Sequence, residues 1–238
     1  MKPTVPQRRG MLVVISGPSG VGKTSLCREI LAVMPDVTQS VSCTTRAARP
    51  GERDGREYYF ISREAFDASI AAGDFLEWAV VHEHLYGTLR QQVQAVTDQG
   101  KDVLLAIDVQ GAAHLRAASV DAVYIFLLPP SWDALVARLQ NRGSEDREIR
   151  ARRLAVAREE LRHYTEYDYV VYNDDLVVAA HTLQAIILAE RQRIARVGMT
   201  PLDTLWPCDS ADAVALGAVA DAGHRVGDAR LRADHAAE

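Results

Sequence analysis

Aromatic residues are scarce in this sequence, cysteines scarcer still, and neither positive charge nor apolar length is in excess. Phe, Trp and Tyr make up 6% of the 238 residues. Cys27, Cys43 and Cys208 form no CxxC pair and no Cys/His pair at zinc spacing, which excludes a zinc motif and a disulfide framework. Against 27 Lys and Arg stand 32 Asp and Glu, a net charge of −5. That balance argues against a chain whose main task is gripping a nucleic-acid backbone. No apolar run approaches the roughly 18 residues of a membrane span. The run 11–15, behind Lys2, Arg8 and Arg9, is too short for a secretory-signal core. A cytoplasmic protein with neither nucleic acid nor membrane as partner is expected. What is abundant is ordinary: 48% hydrophobic and 25% charged residues, the usage of a globular chain. The length suits one to two domains.

Residues 11–15 read as a strand buried on both faces, because five consecutive apolar residues leave no polar face. Residues 103–107 and 123–128 repeat that signal, and 170–172 give a shorter version. Helical patterns follow at 23–34, 110–117, 131–141 and 175–195. Strands alternating with helices predict an α/β fold: a parallel sheet with helices on both faces. Between about 38 and 95 the composition shifts to Arg, Glu, Tyr and turn residues, with short strands expected near 58–61, 75–81 and 84–87. This predicts a small inserted subdomain. Residues 142–163, rich in arginine and acids at helical spacing, predict a charged helical pair. After about Gly198 the pattern dissolves, and 208–238 hold ten alanines and no aromatic residue, as a loosely attached tail would.

Gly17, Pro18, Ser19, Gly20, Val21, Gly22, Lys23 and Thr24 spell GxxxxGK[ST] between a buried strand and a helix, the context that gives this motif its meaning. Glycines let successive backbone N–H groups converge into an anion nest, and the helix N-terminus adds partial positive charge. Lys23 brings an ammonium to the outer phosphates, and the Thr24 hydroxyl is a ligand for Mg²⁺. The residues thus predict binding of ATP or GTP. No Asn-Lys-x-Asp element for the guanine of a nucleoside triphosphate is present, which lowers the GTPase reading. Asp108 follows the strand 103–107, at the ligand-binding edge of such a sheet. It reads equally as an N-cap for the next helix, and the two roles are compatible.

Arg46 and Arg49, three apart, with Tyr58 nearby, suit a phosphate monoester, which paired guanidinium N–H donors match. Together with Phe75-Leu-Glu77-Trp78, Leu85-Tyr86-Gly87-Thr88, Ile107-Asp-Val-Gln-Gly111, Leu128-Pro-Pro-Ser131, Arg138-Leu-Gln-Asn-Arg-Gly143 and Tyr167-Asp-Tyr-Val-Val-Tyr-Asn-Asp-Asp175, this segment resembles guanylate kinase over residues 11 to about 195. The resemblance implies a P-loop nucleoside monophosphate kinase-like fold, with a core (11–37, 100–137, 164–197), a GMP-binding subdomain (38–95) and a helical lid (138–163). Residues 1–10 and 198–238 would flank it. It implies transfer of the γ-phosphoryl group of Mg-ATP to GMP, and to dGMP, giving ADP and GDP in purine nucleotide metabolism.

The resemblance also assigns roles. Ser42, Arg46, Arg49, Tyr58, Glu77, Tyr86, Thr88 and Asp108 align with GMP-binding positions. Arg46, Arg49, Tyr58 and Tyr86 would hold the monophosphate. Glu77 would accept from guanine N1–H and the 2-amino group, with Ser42 and Thr88 at O6 and nearby edge atoms. Lys23, Arg46, Arg138, Arg142 and Arg153 would serve catalysis, the last three as lid arginines. Thr24, with Asp108 through water, would hold the Mg²⁺ that accompanies ATP. Ala48 stands where the family usually has a proline. Ala106 replaces a common aspartate, leaving Asp108 as the one acid at that strand end. His84-Leu85 replaces a commoner Asn-Tyr. A scaffold-type module of the same fold would be expected to have a degraded phosphate loop, whereas Gly22, Lys23 and Thr24 are intact. The sequence leaves monomer and homo-oligomer both open.

Overall fold

The computed structural model describes residues 8–81, 83–140 and 147–197. In chain order the elements are β1 (Leu12–Ser16), α1 (Lys23–Val33), β2 (Val37–Gln39), β3 (Cys43–Thr44), β4 (Tyr59–Phe60), α2 (Arg63–Ala72), β5 (Phe75–Val81), β6 (His84–Leu89), α3 (Arg90–Thr97), β7 (Asp102–Ala106), α4 (Val109–Ala117), β8 (Ala122–Leu128), α5 (Trp132–Gln140), α6 (Arg147–Leu161), a 3₁₀ turn (Arg162–Glu166), β9 (Tyr169–Tyr172) and α7 (Leu176–Arg191).

Five strands form a parallel sheet in the order β2-β7-β1-β8-β9. Its central strand, β1, is buried throughout, as its unbroken apolar run demands. Alternate β1 side chains feed two cores. Val13 and Ile15 pack with Leu26 and Ile30 of α1 and with Leu183 and Ile187 of α7. Leu12 and Val14 pack on the other face with Val93 of α3 and with Ala112 and Leu115 of α4. The chain therefore leaves β1 toward one face and its neighbour β7 toward the other. The crevice between those two carboxyl ends is the topological switch point, where ligands bind in open α/β sheets. At the opposite end of the sheet the fully buried carboxylate of Asp102 accepts from Arg8 Nη2 (3.0 Å), Arg191 Nε (2.7 Å) and the Met11 amide (2.9 Å). Removing one partner of such a buried pair costs about 3–5 kcal/mol.

The second sheet has four strands, β4-β3-β6-β5. β3 and β4 are parallel; β6 is antiparallel to both β3 and β5. It has its own core, in which Phe66 of α2 stacks on Phe75 at 4.4 Å beside Cys43 and Leu85. Ser62 caps α2, accepting from the Ala65 amide at 3.2 Å. The pairing of β5 with β6 contains a bulge: Phe75 pairs with Leu89, but Glu77 pairs with Thr88, so Leu76 is extra. A third small core joins Leu135 and Leu139 of α5 to Ala157 of α6.

The fold class is as expected. Elements not anticipated are the short edge strand β2, the two-residue β3 and the helix α2, whose one buried residue is Phe66. Within 142–163 the described residues form one helix, α6, followed by the 3₁₀ turn. The tail 198–238 and residues 1–7 lie outside the described residues.

Candidate functional site

The loop 17–22 joins β1 to α1, and its shape depends on glycine. Gly17, Gly20 and Gly22 have φ of 140°, 83° and 105°, a region other residues rarely enter. A Cβ on Gly17 would also stand 2.5 Å from the Leu127 carbonyl oxygen, and one on Gly22 would collide with the Asn173 side-chain amide. Val21 is fully buried and pins the loop to the core. Helix α1 then begins at Lys23 with no acidic residue in its first turn. Its positive dipole end is turned toward the loop and favours an anion there. Lys23 Nζ donates to the carbonyls of Gly17 (2.5 Å) and Pro18 (3.3 Å), which holds the ammonium over the loop.

Ser19, Gly20, Gly22, Lys23 and Thr24 line one wall of a cavity of about 370 Å³. Ala106, Ile107 and Asp108, at the end of β7, line another. Asp108 is the N-cap of α4, its Oδ1 accepting from the Gly111 amide at 2.9 Å, and it also faces the cavity. The N-cap read from the sequence is thus present, and the same residue lines the cavity. Burial raises the pKa of its carboxyl; the Gly111 amide and Lys23 pull the other way.

The third wall comes from the small sheet: Ser42, Tyr58, Glu77 and Tyr86. Glu77 is 6% exposed. Its Oε1 accepts from the Thr88 hydroxyl at 2.6 Å, and Thr88 Oγ1 lies 3.4 Å from Ser42 Oγ. Burial pushes the Glu77 carboxyl up to about 7, eased by the Thr88 hydroxyl and aggravated by the charge of Asp108. The bulge at Leu76 explains the placement, since it sets Glu77 beside Thr88 on the face opposite Phe75 and Leu89.

Arg46 stands behind this wall. Its guanidinium makes a two-pronged bond to Glu52 (2.9 and 3.0 Å), Nε donates to the Tyr86 hydroxyl (3.2 Å), and Cζ lies 5.4 Å from the centre of the Tyr58 ring. Arg49 is exposed; its backbone amide donates to the same Glu52 carboxylate at 2.8 Å. The structure therefore gathers Arg46, Tyr58 and Tyr86 into one unit and leaves the Arg49 side chain at its rim.

From α6, Arg153 and Glu160 reach the cavity. Arg138 does not line it. Its guanidinium donates to the Val21 carbonyl (3.3 Å) and the Asn173 carbonyl (2.9 Å), tying α5 to the phosphate loop from outside the cavity. Arg142 lies outside the described residues.

Three residues were given no site role by sequence reasoning. Asn173 donates from Nδ2 to the Val21 carbonyl at 2.7 Å and so braces the loop. Its signal was available: it follows an apolar strand, at the same sheet edge as Asp108. Glu52 organises Arg46 as described. Glu160 is two helical turns beyond Arg153, hence on the same face. Its Oε2 is buried without a hydrogen-bond partner, and burial raises its pKa against the pull of Lys23.

A family model described as guanylate kinase matches residues 9–190. A guanylate kinase of Symbiobacterium thermophilum is 53% identical over 197 residues, 83% of this chain and 93% of the relative. One from Syntrophotalea carbinolica is 49% identical over 191 residues, covering 80% and 91%. The crystal structure of guanylate kinase from Anaplasma phagocytophilum superimposes with a TM-score of 0.71 at 33% identity, covering 86% of this chain and 99% of that one. A cavity that joins a phosphate loop to a buried carboxylate, in a chain matched to this family along nearly its whole described length, leads to one conclusion: the chain belongs to the guanylate kinase family.

Proposed function

We propose that this chain transfers the γ-phosphoryl group of ATP to GMP, and likewise to dGMP, giving ADP and GDP. The observation that carries this reading is the position of Glu77: a buried carboxylate accepting from the Thr88 hydroxyl, with the Ser42 hydroxyl next to Thr88, in the same cavity as Lys23. Guanine offers N1–H and a 2-amino group to such a carboxylate. Adenine offers neither and would leave it buried and unpaired, a discrimination that can reach about 10⁴–10⁵-fold.

Phosphoryl transfer between two phosphates requires positioning and charge neutralisation more than covalent chemistry. The loop amides and Lys23 bind the donor phosphates. Arg46, Tyr58 and Tyr86, with Arg49 at the rim, bind the acceptor phosphate, itself an anionic nucleophile that needs no general base. Arg153 brings a guanidinium from α6 to the cavity, where the moving charge develops; a single preorganised donor of this kind is worth about 10²–10³ in kcat. Arg138 holds the loop in register, and Arg142 shares the lid role.

The donor set fits Mg²⁺. Thr24 Oγ1 and the Asp108 carboxylate are hard oxygen donors on the cavity wall. Among the described residues no group of three or more His, Cys, Asp or Glu forms a self-sufficient metal cage, as befits a cation completed by phosphates and water. Held by Thr24 and, through water, by Asp108, the metal would supply positive charge to offset that of the phosphates. Core, GMP-binding subdomain and lid close around both nucleotides in this reading, and close out water. The reaction belongs in the cytoplasm, where both nucleotides are met; no helix among the described residues is long and apolar enough to cross a membrane.

The test is ADP release with Mg-ATP and each of GMP, dGMP, AMP, CMP and UMP, beside Lys23→Ala. Turnover confined to the guanine nucleotides and lost in the variant is expected. Turnover with another base would overturn the role of Glu77, and tight GMP binding without turnover would point to a binding module.

A further inference from the structure

Gly111 lies in the first turn of α4, next to the carboxylates of Glu77 and Asp108. Its backbone is not left-handed, so no turn requires a glycine there. Inside a helix, alanine is the better residue. The reason for glycine is therefore sought in what surrounds it. A Cβ at this position would stand 2.6 Å from Glu77 Oε2, 3.2 Å from Asp108 Oδ1 and 3.3 Å from Ile107 Cδ1. The first distance is shorter than any real contact of a methyl group, so Glu77 would have to move. The helix has little freedom to retreat instead: His114 Nδ1 is hydrogen-bonded to the Trp78 carbonyl at 2.9 Å, which ties α4 to β5 one turn further on.

We propose that Gly111 is a specificity-determining position, whose missing side chain gives the Glu77 carboxylate the room it needs to face the acceptor base. Its amide meanwhile fixes Asp108 at 2.9 Å. One residue thus serves the two acids differently, with an N–H for one and empty space for the other. Gly111 touches no reacting atom; it is a positioning residue that acts through Glu77. The inference rests on the reading of Glu77 as the guanine acceptor.

The experiment is steady-state kinetics on Gly111→Ala, Glu77→Asp and the double variant, with KM for GMP and for ATP measured separately. In Gly111→Ala, KM for GMP should rise at least tenfold while KM for ATP stays within twofold. In the Glu77→Asp background the same alanine should add less than a twofold change, because the shorter acid no longer reaches the methyl group. An unchanged KM for GMP, a parallel rise for both nucleotides, or an equal effect in both backgrounds would overturn the proposal. Should Gly111→Ala alone not fold, the double variant decides: folding supports a clash with Glu77, and failure to fold overturns it. A wild-type chain that does not phosphorylate GMP overturns the guanine reading beneath it, whereas wild-type GMP turnover with an indifferent Gly111→Ala overturns only this inference.

Discussion

In the proposed reading, the two halves of the cavity, one for the donor and one for the acceptor, bind through different parts of the chain. The donor half is built from backbone: eight consecutive residues, three glycines at positive φ, and one helix terminus. The acceptor half is built from side chains of a small mixed sheet, Glu77 on β5 and Tyr86 and Thr88 on β6, and of the loops flanking β3 and β4, which carry Ser42, Arg46 and Tyr58. Backbone amides bind an anion at little cost, because nothing charged is buried to do it. Base recognition requires a carboxylate taken out of water, and Glu77 bears the cost as a pKa pushed up to about 7. Generic phosphate binding can therefore be local and cheap, while base selectivity is distributed and destabilising.

The largest expected effect breaks the donor half alone. Lys23→Ala should lower kcat by about 10²–10³ or more for every acceptor, because it removes the ammonium held over the loop. Steady-state rates check this.

Glu77→Gln should do the opposite to each half. GMP use should fall by about 10²–10³ in kcat/KM, because a neutral amide answers two N–H donors poorly, while KM for ATP holds. The variant should also melt higher than the wild type. The wild-type carboxyl is pushed up to about 7 in the fold, against the 4.5 usual for a glutamate. Its ionisation therefore removes stability as pH rises from 4.5 through 7, and the loss is complete above 7. The melting difference should be full at pH 8 and vanish below about pH 4.5. An equal difference at both ends would sink the burial argument.

A smaller effect follows in the wild type. GMP must meet an ionised Glu77, so KM for GMP should rise by up to about tenfold per unit as pH falls below 7, to the extent that the free enzyme carries the proton. KM for ATP should not follow that curve. Glu52→Gln removes the two-pronged partner of Arg46 but leaves Tyr86 and Tyr58 in place. A rise in KM for GMP of about three- to tenfold is expected, on the scale of one charge-assisted bond. Smallest is Ser62→Ala, which removes the α2 cap and costs about 1 kcal/mol, a shift of about 2–4 °C in a chain of this size. Both KM values should stay put. If either moved, the acceptor sheet would be coupled to its own stability more tightly than the separate core around Phe66 implies.

The same contrast decides what was legible in the sequence. β1, the phosphate loop and α1 are contiguous, and each states its conformation locally through apolar run, glycines and helical period. The acceptor half was not local. β3 is two residues long and β2 three, too short for any period to declare itself. α2 buries Phe66 alone, so its helical stripe is faint. The segments carrying Arg46, Tyr58, Glu77 and Tyr86 stood out by composition, and their assignment to one site came from family resemblance rather than from spacing. Glu160 could not be told from the other charges of α6, since only the packing of that helix shows which face meets the cavity.

Strict alternation along β5 puts Phe75 and Glu77 on the same face, one beside the other against Phe66. The extra residue at Leu76 prevents that. It acts in space as a frameshift acts in a gene: the residues before it are read in one phase and those after it in another. Upstream, Phe75 goes to the apolar core of the small sheet. Downstream, Glu77 pairs with Thr88 and lines the cavity. A single insertion has let one seven-residue strand hold a hydrophobic anchor and a buried acid back to back, and if that acid reads the base as proposed, the choice of base depends on where the strand changes phase.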